Sequence, residues 1–271
     1  MKIDYIAFDS FGVKSSCVKV ETGDATITID PGIAWEVDSF SLTEREKAAL
    51  DRRYTAEIKR ACGESDIIAL THHHYDHHIP ERSLYVGKRL FVKDLRRWIN
   101  ASQRGRAYEL LEGLDAKIEV ADNKTFRIGG TKIWFSKPLW HGVKGTSLGH
   151  VVMVGIDDGG TRILHTSDID GPILEEPIKL IQRYNPDILI IDGPPTYILG
   201  YMHSYYNLAR SVINLCRIIE SIDAELIILD HHPLRDYRYR VLLYEAYRHA
   251  ERYGKTMETA AEYEAEGNRG L

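Results

Sequence analysis

The sequence predicts an α+β domain in which two β-sheets pack together and helices cover their outer sides. Three observations lead there. Strand patterns crowd the first thirty residues with no helix between them, helical and strand patterns interleave later, and the run 66–70 has the length and β-branched content of a buried strand. At 271 residues the chain exceeds a typical domain of ~150, yet layered α/β enzymes of this size fold as one unit, so a single domain over 1–271 is expected.

Residues 3–8, 13–21 and 25–29 alternate as a meander, with Gly23-Asp24 as a turn, and Asp30-Pro31-Gly32 stops it. The charged, helix-forming segment 42–61 precedes the buried strand 66–70. Segment 94–114 reads as an amphipathic helix, and strands follow at 131–135, 151–156, 162–165 and 187–192, with Asp157-Asp158-Gly159-Gly160 as a hairpin turn. Residues 207–222 place Leu208, Val212, Leu215, Cys216 and Ile219 on one helical face, and 226–230 is the last buried strand. A helix over 236–253, closed by Gly254, leaves a short charged tail.

A hydrophobic share of 44% with 28% charged residues is globular composition and excludes a disordered chain. No apolar run approaches the 18 residues of a membrane span, and residues 1–9 lack the basic and apolar regions of a signal peptide, so a cytoplasmic protein is expected. A net charge of −5 argues against a general electrostatic grip on nucleic acid. Cys17, Cys62 and Cys216 have no CxxC spacing and fit thiols packed as small hydrophobes in a reducing compartment.

The chemistry concentrates at Thr71-His72-His73-His74-Tyr75-Asp76-His77-His78, directly after a buried strand. In an extended loop residues two apart share a side, so His72 and His74 can converge on one metal ion while Asp76 and His77 diverge toward a second. Further candidates sit beside strands: His141 opens the glycine-containing loop 141–149, Asp168 follows 162–165, and His231 follows 226–230.

This order, His72-x-His74-x-Asp76-His77 and then a His, an Asp and a His after successive strands, resembles the metallo-β-lactamase superfamily. Within it the chain is similar to an archaeal branch, and the His141 loop and His231-x-x-x-Arg235 also resemble the tRNA 3′-processing endonucleases. The resemblance implies a four-layer αββα sandwich and a two-metal hydrolytic centre. It assigns His72, His74 and His141 to the first ion, Asp76, His77 and His231 to the second, and Asp168 to both. Two divalent ions flanking one water lower its pKa toward neutrality, and a positively charged centre suits a phosphodiester or other anionic ester better than a neutral amide. Zinc is the first expectation, with manganese or iron as alternatives. The substrate would be a small-molecule or nucleic-acid phosphoester with no membrane involved, and the oligomeric state is unassigned. A mononuclear iron oxygenase or thioester hydrolase on the same fold, and a non-catalytic metal-stabilised binding module, are the rival readings.

Several residues carry two readings. Asp30 is either the first residue of a turn or, as the resemblance implies, the carboxylate that orients a metal-binding imidazole and so a part of the catalytic set with Asp76. His232 competes with His231 as ligand and would otherwise donate a proton to the leaving group. Arg235 either clamps a substrate phosphate or pairs with an acid, and Tyr197, in a loop with Tyr201, Tyr205 and Tyr206, either stacks on substrate or packs. His73 and His78 read as solvent or packing residues, and His165 as buried near the site without ligating. Segment 82–106 has eight basic residues and one acid, which makes it either a nucleic-acid face or the solvated side of a helix.

Overall fold

A strand that is apolar on both faces must be covered on both, and the structure meets that demand with two sheets face to face between two layers of helix. The computed structural model describes residues 1–35, 40 and 42–267. Its first sheet has the spatial order β1 (Lys2–Phe8), β2 (Ser16–Glu21), β3 (Thr26–Ile29), β4 (Ile67–Leu70), β5 (Arg89–Val92), β6 (Lys117–Val120). Pairing is antiparallel from β1 to β3 and parallel from β3 to β6. The second sheet contains β7 (Thr125–Ile128), β8 (Thr131–Phe135), β11 (Val154–Asp157), β12 (Arg162–His165), β13 (Ile188–Asp192), β14 (Leu226–Asp230) and β15 (Thr256–Glu258) in that order. It is antiparallel up to β12 and parallel beyond. A ribbon of β9 (Leu139–Trp140) and β10 (His150–Val151) closes the loop between them.

The strand period of two sorts the core. Ile67 and Ala69 of β4 meet Ile188 and Ile190 of β13 in one cluster between the sheets. Ile68 and Leu70 point the other way, onto Ile58 and Cys62 of α1 (Glu44–Glu64) and Leu110 of α2 (Ala101–Leu111). Leu189 and Ile191 pack on Ile178 and Ile181 of α3 (Glu175–Tyr184) and on Leu215 and Ile218 of α4 (Tyr205–Ser221). This is the αββα order, and each buried Ile or Leu contributes about 1.5–3 kcal/mol of transfer free energy. Thr43 and Glu46 form a capping box at the start of α1, and Ser204 caps α4. Among the described residues no helix is long and apolar enough to cross a membrane.

Some element boundaries differ from the sequence reading. The strand expected over 13–21 begins at Ser16, and 151–156 divides into β10 and β11. The helix expected over 94–114 shrinks to α2: the Asp94 carboxylate accepts N–H bonds from Arg96 and Arg97, Trp98 takes a positive φ of 52°, and Asn100 caps the later start. The helix expected over 236–253 breaks at Leu243 into α5 (Tyr239–Leu242) and α6 (Tyr244–Arg252). In place of a charged tail the chain adds β15 and α7 (Ala260–Ala265), and residues 268–271 lie outside the described set. Strands β5, β6 and β7 and helix α3 had no counterpart in the expectation.

Candidate metal centre

Parallel strands end together, and ligand-bearing loops gather at their carboxyl ends. Asp30 follows β3, residues 71–78 follow β4, Asp168 follows β12, Asp192 ends β13 and His231 follows β14. The backbone is strained there: Asp30 (φ 48°), Ser167 (57°), Asp170 (51°) and His231 (72°) all occupy the left-handed half of φ space. Each such residue costs on the order of 1–3 kcal/mol, which the surrounding hydrogen bonds offset.

Among the described residues four sets of donor atoms result, two of four residues and two smaller ones, Asp30-His72-His77 and Asp168-Asp192-His232. His72, His74, His141 and Asp168 bring one ligand atom each within 4.8 Å of one another, and so do Asp76, His77, Asp168 and His231. Asp168 belongs to both through different oxygens. Its Oδ2 lies 3.2 Å from His141 Nε2 and 3.6 Å from His72 Nε2, while Oδ1 lies 3.0 Å from His77 Nε2 and 3.5 Å from His231 Nε2. Asp76 Oδ2 stands 3.9 Å from His231 Nε2. His74 is half-buried and the other members are buried.

The donor atoms fit a cation better than they fit each other. His72 Nε2 faces His74 Nδ1 at 3.0 Å, a contact between two imidazole nitrogens. His77 Nε2 and Asp168 Oδ1 are buried and make no aligned hydrogen bond despite their proximity. The cluster therefore suits metal binding by imidazole and carboxylate, and Asp168 belongs to both four-residue sets.

A further ring of residues fixes the imidazoles. His77 Nδ1 donates to Asp30 Oδ2 at 2.8 Å, and Asp30 also accepts from the Thr71 amide and hydroxyl at 2.8 and 2.6 Å. His231 Nδ1 donates to Asp9 Oδ2 at 2.8 Å, and His141 Nδ1 lies 3.3 Å from Asp170 Oδ1. Each of these contacts leaves the opposite nitrogen facing the centre. Burial by itself lowers His77, but Asp168 and Asp30 outweigh it and hold the ring at about 10. Burial and the neighbouring His141 push His74 down to about 3. Asp168 sits well below the usual carboxylate range: burial opposes this, and His77, His231 and His72 prevail.

All seven ligand candidates, His72, His74, Asp76, His77, His141, Asp168 and His231, converge on this cluster, and Asp30 stands behind it. His232 lies beside it with Nδ1 2.9 Å from Asp192 Oδ1. Arg235 is buried; its Nε donates to Asp9 Oδ1 at 2.6 Å, and its guanidinium lies 5.7 Å from the centre of the Tyr197 ring. Tyr197, His232 and Arg235 all line a cavity of about 440 Å³ that reaches Asp168. His73 and His78 are buried packing residues, donating to the carbonyls of Lys93 and His74. His165 contacts Ser16 and lies outside both ligand sets. Sequence reasoning missed Asp9, Asp170 and Asp192 as partners of His231, His141 and His232. The signal available was position alone: Asp9 follows β1 and Asp192 ends β13.

Segment 82–106 divides in two. Arg82 and Lys88 bond to the carbonyls of Glu112 and Ser65, and Arg89 and Lys93 pair with Glu119 and Asp122. Arg96, Arg97, Arg104 and Arg106 have no ion pair among the described residues. The segment is thus partly structural rather than one uniform basic face.

Comparison with known proteins agrees with the geometry. The family described as the β-lactamase superfamily domain matches residues 12–221. A UPF0282 protein of Pyrococcus furiosus is 43% identical over 257 residues, covering 88% of this chain and 81% of its own length. Among solved structures, the metallo-β-lactamase fold protein YhfI of Bacillus subtilis aligns over 91% of this chain and 88% of its own, with TM-score 0.57 and 17% identity. The diiron β-hydroxylase CmlA of Streptomyces venezuelae aligns over 95% of this chain and 52% of its own, with TM-score 0.57 and 15% identity. By the extent of the family match and by the Pyrococcus furiosus relative, the chain belongs to the β-lactamase superfamily and, within it, to the UPF0282 proteins.

Proposed function

We propose that the protein is a dinuclear metal-dependent hydrolase of phosphodiesters or closely related anionic esters. The observation that carries this reading is Asp168, whose two oxygens face two separate ligand sets at 3.0–3.6 Å. Two divalent ions bound there would supply Lewis-acid polarisation and a water acidic enough to ionise near neutral pH. Zinc, manganese and iron all accept these N/O donors, and CmlA carries iron on a related fold, so the metal is a matter for measurement.

The chain's own residues supply the rest. Asp30, Asp9 and Asp170 fix which nitrogen of His77, His231 and His141 faces the centre. Asp192 grips His232 at Nδ1 and leaves Nε2 for the cavity, where it can pass a proton to a departing oxygen. Lys14 and Arg235, 3.4 and 3.9 Å from Asp76 Oδ2, offset the negative charge of the carboxylates, which reduces the repulsion an anionic substrate would meet.

The test is elemental mass spectrometry on untagged protein prepared without chelator, followed by hydrolysis of bis(p-nitrophenyl) phosphate. Two ions per chain and turnover that stops with chelator are expected. One iron per chain without hydrolysis would replace this reading with the oxygenase.

A further inference from the structure

We infer that Arg106 forms a second phosphate subsite in the metal-centre cavity, so that the preferred substrate is a nucleotide carrying a phosphate next to the bond being cut. The inference rests on the phosphodiester reading above and adds a residue and a substrate feature to it.

Among the described residues three cationic side chains line the cavity, Lys14, Arg106 and Arg235. Two are engaged. Lys14 lies 3.4 Å from Asp76, and Arg235 is bound to Asp9 at 2.6 Å, so both balance carboxylates of the centre. Arg106 has no carboxylate within ion-pair distance among the described residues, although it is half-buried. What holds it is an aromatic ring: its guanidinium carbon sits 4.6 Å from the centre of Tyr75, which belongs to the ligand loop and lines the same cavity. A guanidinium stacked on a ring keeps its N–H fork in plane and free to donate, the geometry that meets phosphate oxygens bidentately.

The surroundings agree. Ser102, one helical turn before Arg106 on α2, is exposed and lines the cavity, and its hydroxyl makes no hydrogen bond among the described residues. The helix start cannot drift away, because Asn100 Nδ2 donates to the Ser147 carbonyl at 2.7 Å and Gln103 Nε2 to the Leu148 carbonyl at 2.6 Å. These bonds tie α2 to the loop that carries His141. Arg106 is therefore fixed relative to a metal ligand, and about 440 Å³ is room for a nucleotide-sized ligand.

Calorimetric titration of the purified protein tests this. The probes are dithymidine with a non-hydrolysable methylenephosphonate linkage, bearing no terminal phosphate, a 5′-phosphate or a 3′-phosphate. One of the phosphorylated forms is expected to bind at least about tenfold more tightly than the plain form, the range of one charge-assisted bidentate contact. The ratio should collapse toward one in Arg106→Ala and partly return in Arg106→Lys. Equal binding of all three probes by the unaltered protein, binding of none, or a preference that survives Arg106→Ala would each overturn the subsite. Hydrolysis of bis(p-nitrophenyl) phosphate, which has no second phosphate, judges the phosphodiesterase reading separately.

Discussion

Asp9 and His231, 222 residues apart in sequence, meet with Oδ2 and Nδ1 at 2.8 Å. The other oxygen of Asp9 accepts from Arg235 Nε at 2.6 Å, so one buried carboxylate orients a candidate metal ligand and neutralises a buried guanidinium. Asp9→Asn is expected to weaken uptake of the ion at Asp76, His77 and His231 by about 10–100-fold. It should also cost about 3–5 kcal/mol of stability, because Arg235 is left buried without its anion. Chelator competition and urea unfolding read the two effects separately. Wild-type ion affinity in the variant would remove Asp9 from its positioning role.

The two ligand sets make a differential prediction. Asp168→Ala removes the shared carboxylate and should abolish hydrolysis while lowering the bound metal by at least one ion. Asp76→Ala and His74→Ala should instead each deplete the single ion on their own side. Metal per chain, measured for all three variants, distinguishes this pattern, in which Asp76→Ala and His74→Ala each retain one ion, from a single site, which would be left empty. Full activity in Asp168→Ala would sink the shared role.

The ligand loop was legible because chemistry and position coincide there: five histidines and an aspartate follow a strand whose apolar run is buried on both faces. The layered architecture was legible for the same reason, since Ile67 to Leu70 and Ile188 to Ile191 can be satisfied only between two layers. What escaped was set by partners distant in sequence. Strand β5 lies in a basic segment and is a strand because it pairs with β4 and β6, and its Arg89 and neighbouring Lys93 are neutralised by Glu119 and Asp122. The orienting acids Asp9, Asp170 and Asp192 look like ordinary strand-end or turn residues until the fold brings an imidazole to each. Helix 94–114 was overextended because its hydrophobic spacing continued through a stretch that Asp94 holds in a turn.

Proton release should accompany ion binding. Asp168 and Asp30 hold His77 at about 10 against the lowering effect of burial, above the ordinary ~6.5 of an unfolded histidine. In chelator-stripped protein this charged contact therefore stabilises the fold fully below pH ~6.5 and fades as pH rises through about 10. A ligating imidazole must lose its proton, so ion affinity should fall as pH drops. Titration with zinc in two buffers of different ionisation enthalpy should show at least one proton released near neutral pH. No release would mean that His77 is already neutral.

The cysteines should be bystanders. Cys17 and Cys62 are fully buried, and burial pushes the Cys62 thiol up to about 12. Native protein treated with iodoacetamide should lose at most the half-buried Cys216 and keep its hydrolytic rate, whereas unfolded protein should lose all three thiols. Inactivation tracking one modified cysteine would assign that thiol a part in the chemistry.

Gly32 offers the sharpest test of how the fold holds the ligand loop. A Cβ at this position would collide with the backbone nitrogens of His77 and His78 and with the His77 carbonyl carbon. All three are main-chain atoms, so no side-chain rotation can relieve the contact. The only relief is to push apart the 30–32 turn and the 77–78 segment, which the Ile79 amide joins by donating to the Pro31 carbonyl at 2.9 Å. That movement would also separate His77 from Asp30. Gly32→Ala is therefore expected to destabilise the protein by about 1–3 kcal/mol and to lower metal content mainly at the Asp76-His77-His231 side. Thermal unfolding and metal stoichiometry measured on one preparation check both. A variant with wild-type melting temperature and two ions would show that the close approach at Gly32 is not what holds the ligand loop.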